Sequence, residues 1–335
     1  MPDTSITRIE AEPGQYGYTF GGREPIAEIK PGTLISLRTL DCFGGKVRSV
    51  TDLPSQVCEF PYLNPVTGPL YVDGARPGDT LAVHIVSLTP ASPVGISSTF
   101  PHFGALTSTS HTPTLQPPLE ERVWLYDVDL DRQTVRYQAS RSDYTVDLPL
   151  EPMLGTVGVA PAASEVRQTI VPDVHGGNLD TPLLGPGSTL YLGVNVPGGL
   201  LALGDGHARQ GEGEVCGVAV EIAMDAVIVV DVIPGVPTAT PRLETDTRLV
   251  SLGAARPLED AFRISQDDLV RHVAQLTGLD LLDAYQLVSQ TTEARAGNVV
   301  DPQYVMSAGI DKRYLHGAAA YHGAHDQLRA VVRSG

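Results

Sequence analysis

Residues 174–221 read VHGGNLDTPLLGPGSTLYLGVNVPGGLLALGDGHARQGEGEVCGVAVE, and this stretch decides the fold of the chain around it. Two glycine-rich patches, at 175–180 and 204–207, flank an apolar run at 190–203. A short apolar run bounded by glycine and proline predicts one strand or a pair of strands. A second β-rich segment follows at 215–222, so the stretch predicts polar turns between successive strands.

The polar groups of the two patches are of the kind that bind metal ions. Asp205 and His207 stand two residues apart, and side chains at that spacing point to the same side of an extended chain. His175 and Asp180 belong to the other patch. Imidazole nitrogen together with carboxylate oxygen suits zinc, and also iron or manganese. The same residue types are typical of ordinary surface turns, and that alternative stays open at this point.

The ordered motifs of the chain resemble those of the acetamidase/formamidase family. Within the stretch they are HGGN-x-D at 175–180, P-G-x-T-L-Y-L at 186–192, G-D-x-H-A-x-Q-G-x-G-E at 204–214, and a strand ending in Glu at 215–221. Further segments typical of the family are 41–45, 64–69, 77–81, 153–161 and 283–285, so the resemblance covers nearly the whole chain. Leu179 stands where the family pattern has Met, and Glu212 where it has Asp.

The resemblance implies metal-dependent hydrolysis of a short-chain aliphatic amide, formamide or acetamide, to a carboxylate and ammonia. A divalent metal is the implied cofactor, with zinc as the expected ion. The expected ligands are His175, Asp180, Asp205 and His207, with Asp41 joining them or completing a second metal position. The implied assembly is a homodimer or a higher homo-oligomer.

Two further residues have expected catalytic roles. Glu214 is the expected general base, since a carboxylate of raised pKa can take a proton from water and return it to the leaving nitrogen. Asn178 is the expected donor to the tetrahedral oxyanion. Glu151 is an alternative base, or a solvated turn residue between two prolines.

Residues 89–119 are rich in Pro, Ser and Thr, which predicts a long irregular loop between strands. Loops of this length inside a compact domain are often functional, as lids or interfaces. His102 is a candidate for the wall of the pocket, and His111 is expected at the surface.

Other functions and mechanisms remain open from the residues alone. The chain is alternatively a non-catalytic relative that binds a small amide, or a hydrolase of another small amide or of a carbamate. A Ser/Ser/Lys amidase is disfavoured because no lysine lies in a Gly/Ser-rich segment. A Glu/Lys/Cys triad would recruit Lys46 and Cys216, but Cys216 is predicted inside a β run, where a small buried thiol is the simpler interpretation.

The composition favours a mainly β fold. The chain of 335 residues is 42% hydrophobic and 19% charged, with 34 glycines and 27 prolines between short Val/Leu/Ile/Thr runs. A Pro-Gly turn leads into an alternating strand at 31–37, 77–85 and 186–194. We therefore predict a jelly-roll-like β-sandwich core at 1–234 that carries the site, with an α+β part packed on it at 235–335.

The C-terminal part contains two predicted helices. The first is expected to have Ser265 as its N-cap and Gly278 as its stop, and the second spans residues 280–289. The tail past Tyr314 is expected to be mobile. Its histidines, with Asp326, are a weak metal-binding alternative to an exposed polar tail; they are His316, His322 and His325.

The charge and the cysteines limit the partners and the location. A formal net charge of −16 repels nucleic acid and anionic membranes, and the acidic loops would repel phosphate, whereas a neutral amide is unaffected. Three cysteines without a CxxC motif fit a reducing compartment. Neither a signal peptide nor an apolar run long enough to span a bilayer is visible. The expected location is the cytoplasm.

Overall fold

The computed structural model describes residues 6–107 and 118–333. The strands in this part are β1 Thr7–Ile9, β2 Thr19–Phe20, β3 Ala27–Ile29, β4 Thr33–Thr39, β5 Val66–Val72, β6 Thr80–Pro90, β7 Val94–Thr99, β8 Arg122–Asp129, β9 Thr134–Gln138, β10 Thr145–Pro149, β11 Met153–Gly158, β12 Arg167–Gln168, β13 Gly176–Asn178, β14 Thr189–Gly193, β15 Leu201–Arg209, β16 Val220–Glu221, β17 Met224–Ile233, β18 Arg242–Glu244, β19 Arg248–Ala255, β20 Glu293–Ala296 and β21 Tyr304–Asp311. The α-helices are α1 Pro54–Val57, α2 Leu258–Thr277, α3 Leu281–Thr291 and α4 Ala324–Arg333. Short 3-10 helices span Pro13–Gln15, Lys312–Leu315 and Ala320–Gly323. His111 lies outside the described residues.

Two large sheets pack face to face. The first has nine strands in the order β1-β4-β17-β6-β14-β18-β19-β21-β20. The second has ten strands, eight of them in the order β10-β9-β8-β7-β16-β15-β11-β13, with β5 paired to β15 and β3 paired to β5. The predicted run at 190–203 therefore forms parts of two strands, β14 and β15, that lie in different sheets.

The side-chain pattern of β6 explains why the first sheet is buried on both faces. Leu81, Val83 and Ile85 belong to the core between the two sheets, whereas Ala82 belongs to a second core under the helices. Successive side chains of a strand point to opposite faces, so one strand serves both cores. Helix α2 packs on β19 and β21, and α4 packs on β6. The prediction of a mainly β fold, with a sandwich core and an added C-terminal α+β part, is confirmed.

The C-terminal strands β18, β19, β21 and β20 continue the first sheet. The division of the chain at residue 234 stays a prediction. No helix in the described residues is both long enough and apolar enough to cross a bilayer.

Both predicted helices are present, and the predicted stop of α2 is correct, but its predicted start is wrong. Gly278 ends α2 in the left-handed conformation, with φ 75°, and the Asp280 side chain caps α3. Ser265 is not an N-cap, because α2 begins two turns earlier, after Pro257. Proline is favoured at a helix start, where its missing N–H has no partner to lose. Ser265 lies buried inside the helix, and its hydroxyl donates to the Phe262 carbonyl.

The expectation of a mobile tail was wrong. His325 is fully buried on α4, and its Nδ1 lies 2.8 Å from the Thr189 hydroxyl of β14. The same hydroxyl is 2.9 Å from Nδ1 of His84 on β6. His316 and His322 are exposed, so the tail histidines divide between core and surface. Burial of the apolar face of α4 holds this segment against the first sheet.

Candidate active site

Strand register brings polar residues from distant parts of the chain to one place in the second sheet. Strand β11 lies between β13 and β15, so Thr156 faces Asn178 on one side and Gly204 on the other. Across β15 and β16, His207 pairs with Glu221. Asp205 lies between Gly204 and Gly206 on β15. The side chains of these paired residues, together with that of Asp205, therefore meet at the surface of the second sheet.

Six ionisable side chains form a buried cluster there, none more than 7% exposed: Asp180, Asp205, His207, Glu214, Glu221 and Asp301. The Nε2 atom of His207 lies 3.3 Å from Asp205 Oδ1 and 3.3 Å from Glu221 Oε1. Three sets of potential ligand atoms in the cluster lie within 4.8 Å of one another: Asp180/Asp205/His207, His207/Glu214/Glu221 and Asp180/Glu214/Asp301. Five carboxylates thus surround one imidazole. Asp205 and His207 lie on the same side of the chain, as predicted from their spacing.

Four atoms in this cluster are buried without a hydrogen-bond partner. They are Asp180 Oδ1, Asp205 Oδ1, His207 Nε2 and Glu221 Oε2. Burying an ionised or polar group without a hydrogen-bond partner costs free energy, on the order of 1–3 kcal/mol even for a neutral group. The donor set, carboxylate oxygens with one imidazole nitrogen, is one that binds divalent cations. The residues present therefore fit a metal ion.

Gly155 on β11 leaves open a space beside Asp180, Asp205 and His207. A Cβ atom at this position would lie 2.5 Å from Asp180 Oδ1, 2.5 Å from Asp205 Oδ2 and 2.9 Å from His207 Cε1. Its φ lies outside the left-handed region, so the backbone conformation itself does not demand glycine. Glycine is required here because any side chain would fill the space among the ligand atoms.

Gln210 sets the orientation of the His207 ring. Its Nε2 donates to the carbonyl oxygens of Asp180 and Gly297, at 2.6 and 3.0 Å, which leaves Oε1 as the acceptor. That oxygen lies 2.9 Å from His207 Nδ1, so Nδ1 carries a proton. In the neutral ring the lone pair is then on Nε2 and faces the carboxylates. A positive charge, from a proton or a metal ion, is needed between them.

Asn178 holds the acidic groups in place. Its Nδ2 donates to Asp180 Oδ2 at 2.5 Å and to Asp301 Oδ2 at 2.7 Å. Its Oδ1 accepts from Thr156 Oγ1 at 2.5 Å and from Asn64 Nδ2 at 3.0 Å. An amide nitrogen has two protons, and both are used. Asn178 therefore positions these acids, and no proton of its amide is left for the predicted donation to an oxyanion.

Two of the predicted metal ligands lie apart from the cluster. His175 precedes β13 and pairs with Val159, three residues along the strand from Asn178, or roughly 10 Å at the rise of a β-strand. Its ring packs edge-on against Phe20, with 5.2 Å between centroids. Burial, followed by the charge of Arg167, lowers the pKa of His175 to about 4.

The side chain of Asp41 accepts hydrogen bonds within its own turn. Its Oδ1 accepts from the backbone N–H groups of Phe43 and Gly45, at 2.9 and 3.1 Å. Among the described residues, no set of mutually close ligand atoms includes Asp41 or His175.

Burial and mutual repulsion shift the pKa values of the acids. Burial raises the pKa of Glu214 well above its ordinary value; His207 opposes this shift, and Asp301 adds to it. Burial raises the pKa of Glu221 and of Asp301 to about 7 in each case. Burial disfavours protonation of His207, but Glu221 and Asp205 outweigh it and raise its pKa well above the usual range. Carboxylates held this close retain protons unless a cation compensates their charge.

The cluster opens into a cavity of about 750 Å³. Asn178, Asp205, Glu214, Glu221 and Asp301 line its polar end, and His102 is among the other lining residues, as predicted. Glu151 is exposed and pairs with Arg209 at 2.8 Å, which favours the solvated-turn interpretation.

The segment containing Cys216 differs from its prediction. Residue 216 lies in an exposed turn, because the strand predicted at 215–222 covers only Val220–Glu221. Lys46 is exposed as well. The Glu/Lys/Cys alternative thus has no support from the geometry.

Several site residues were not recognised in the sequence. Gln210 and Asn64 lie inside motifs typical of the family, but nothing in their spacing indicates a role. Glu221 is at the site because it pairs with His207 on the neighbouring strand. Without knowledge of this pairing, the sequence does not indicate a role for Glu221. Asp301 and Asn298 come from a loop after β20, outside every motif noted in the sequence.

The chain is similar to proteins of known family. The model of the acetamidase/formamidase family matches residues 23–164 and 151–247. A formamidase from Methylophilus methylotrophus is 28% identical over 241 residues, which is 59% of each chain. An acetamidase from Mycolicibacterium smegmatis is 24% identical, over 62% of this chain and 63% of the relative. The chain thus spans about three fifths of the length of these curated relatives.

Solved structures extend the similarity over nearly the whole chain. An acetamidase from Yersinia enterocolitica superposes with a TM-score of 0.87 at 41% identity, covering 93% of each chain. An acetamidase from Bacillus halodurans has a TM-score of 0.82 at 30% identity, covering 93% of this chain and 99% of that one. A gamma lactamase from Delftia acidovorans, at 19% identity and a TM-score of 0.61, shares the fold.

Proposed function

Since the chain belongs to the acetamidase/formamidase family, we propose that it hydrolyses a small neutral amide to a carboxylate and ammonia with a divalent cation. Zinc is the expected ion, because imidazole and carboxylate together suit it. The observation that carries the proposal is the group of four buried ligand atoms without a hydrogen-bond partner, on side chains of which three border the open space at Gly155.

The proposed ligands are Asp180, Asp205, His207 and Glu221. Compared with the ligands predicted from the sequence, Glu221 takes the place of His175, and Asp41 is omitted. A divalent cation held by these groups would polarise the amide carbonyl and make water a stronger nucleophile at neutral pH. The Gln210 contact directs the His207 lone pair toward the same point.

Glu214 is the proposed general base. It lies at the polar end of the cavity, in reach of both acidic sets, and it is 7% exposed. Burial raises the pKa of Glu214, and a carboxyl of raised pKa can accept a proton from water and return it to the leaving nitrogen.

Asn178, Thr156 and Asn64 position the acids. Asn64 Nδ2 donates to Asp205 Oδ2 at 2.8 Å, and Thr156 Oγ1 lies 3.1 Å from the same oxygen. These contacts occupy one oxygen of Asp205 and leave Oδ1 for a cation. Because these carboxylates are already held in place, rearranging them costs little free energy when a cation or a substrate binds.

Metal removal tests the proposal. Ammonia release from acetamide and formamide is measured on the purified protein, on protein treated with a chelator, and after return of zinc, manganese or iron. We expect at least a 100-fold loss on chelation and recovery with one of these ions. Full turnover by a protein shown to be metal-free would contradict a metal-dependent mechanism. The homo-oligomer and the cytoplasmic location stay predictions.

A further inference from the structure

The cavity is much larger than a short-chain amide. Acetamide has four non-hydrogen atoms and occupies on the order of 100 Å³, since one water molecule takes about 30 Å³. The cavity volume of about 750 Å³ lies in the range of sites for ligands of drug size. Binding acetamide would leave most of this space to water. A substrate that fills it needs a large group next to the amide.

Besides the acids, the cavity has an apolar wall that is rich in aromatic rings. It includes Phe43, Phe60, Leu63, Phe100 and Phe103. The Phe100 ring lies 6.2 Å from Phe43 and 6.1 Å, edge-on, from Phe103. These spacings are those of interacting aromatic pairs, and they form a surface on which a further ring can pack. Phe60 is 72% exposed and lies at the open part of this wall.

The aromatic wall is attached to the turn that carries Glu214. The Ala105 N–H donates to the Val215 carbonyl at 2.9 Å. Gly217 lies under the Phe103 ring, where a Cβ atom would come within 2.5 Å of it. The wall and the proposed general base therefore belong to one continuous site.

A further aromatic residue, Tyr304, also lines the cavity. Arg256 stacks on Tyr304, with its guanidinium carbon 4.2 Å from the ring centroid. It also donates to the backbone carbonyl of Asp301 at 2.5 Å. The stacking fixes Tyr304 beside the loop that places Asp301 in the acidic cluster.

From these features we propose that the site accepts amides with a bulky apolar acyl group, aromatic for preference, in addition to short aliphatic ones. The inference rests on the proposed amide hydrolysis and names its substrate class. An acyl group with a negative charge is excluded, because the carboxylates of the polar end would repel it. An uncharged aromatic ring buries apolar surface against the wall and needs no polar partner.

The test compares phenylacetamide with acetamide on the metal-loaded protein. We expect kcat/KM for phenylacetamide to exceed that for acetamide by at least about tenfold, through burial of the ring. Phe60→Ala removes an exposed side chain of the wall and should lower this ratio about tenfold. Tyr144→Ala is the matched control, since Tyr144 is 63% exposed and outside the cavity lining, and both rates should stay unchanged.

The outcomes separate the inference from the function on which it rests. Hydrolysis of acetamide with an equal or lower kcat/KM for phenylacetamide overturns the inference and leaves the amidase proposal intact. If neither amide is hydrolysed, the amidase proposal fails, and calorimetric binding decides the inference. Binding of phenylacetamide at least about tenfold tighter than acetamide, and weakened by Phe60→Ala, then supports the aromatic site. Equal binding of the two amides overturns it.

Discussion

Replacement of Gly155 by alanine tests the metal centre with a single methyl group. The new Cβ atom would lie 2.5 Å from both Asp180 Oδ1 and Asp205 Oδ2, whereas ordinary contact begins at 3.4 Å. Each oxygen must therefore move by about 0.9 Å. Asp180 and Asp205 are 0% and 1% exposed, so neighbouring groups resist this movement. Metal sites tolerate changes of about 0.2 Å in ligand distances.

The expected result is a folded protein that does not hold its cation. Overpacking of this size costs about 1–3 kcal/mol of unfolding free energy, which lowers Tm by several degrees. Zinc affinity should fall at least about 100-fold, and amide turnover should fall with it. Affinity is measured by competition with a chromophoric chelator, metal content by elemental analysis, and folding by circular dichroism.

Gly14→Ala is the matched control for this variant. Nothing lies within 4 Å of a Cβ atom at Gly14, and its φ is also outside the left-handed region. Affinity, turnover and Tm should match those of the parent protein. Wild-type zinc affinity and turnover in Gly155→Ala would refute the placement of a cation among these side chains.

Three further predictions follow from the contacts of the site and the core. Glu214→Gln should keep the metal but lower kcat at least about 100-fold, and loss of metal instead would make Glu214 a ligand. Gln210→Leu, which removes the acceptor of His207 Nδ1–H, should weaken zinc binding about 10- to 100-fold; unchanged affinity would dismiss its role. Burial, then the charge of Arg242, lowers the pKa of His272 to about 3, while burial and His325 lower that of His84 to about 4. Because both folded values lie below the unfolded value of about 6.5, stability is complete above pH 6.5 and is lost as the pH falls below it. In urea titrations, His272→Leu should lose roughly 2 kcal/mol less unfolding free energy between pH 7 and pH 5 than the parent, and equal losses would contradict burial of a neutral ring.

The local features of the fold were predictable because they depend on neighbours in the sequence. The stop of α2 at Gly278 and the start of α3 at Asp280 follow from turn and cap residues. Ser265 was misassigned because a serine before an apolar run resembles an N-cap, whereas Pro257 and the acidic first turn after it start the helix. The tail past Tyr314 was expected to be a polar, mobile segment because its few apolar residues are spread along the sequence. They come together only on one face of a helix.

For the site, the spacing of residues along one strand predicted which side chains lie together. Contacts between residues of different strands could not be predicted in this way. Asp205 and His207 were predicted to lie together because alternation puts them on one side of the same strand. His175 was grouped with them because it is a possible ligand in a motif typical of the family. The register of β13 on β11 instead puts Asn178 at the site and His175 farther along the sheet.

By itself, the sequence determined the class of fold, the glycine-rich turns, and the pool of histidine and acidic residues from which a site is made. Only the tertiary structure decided which members of that pool meet. Strand pairing joined Glu221 to His207, and a loop distant in the chain contributed Asp301. Register depends on how whole sheets bury their apolar faces, and this information is spread over many strands, so no single motif contains it.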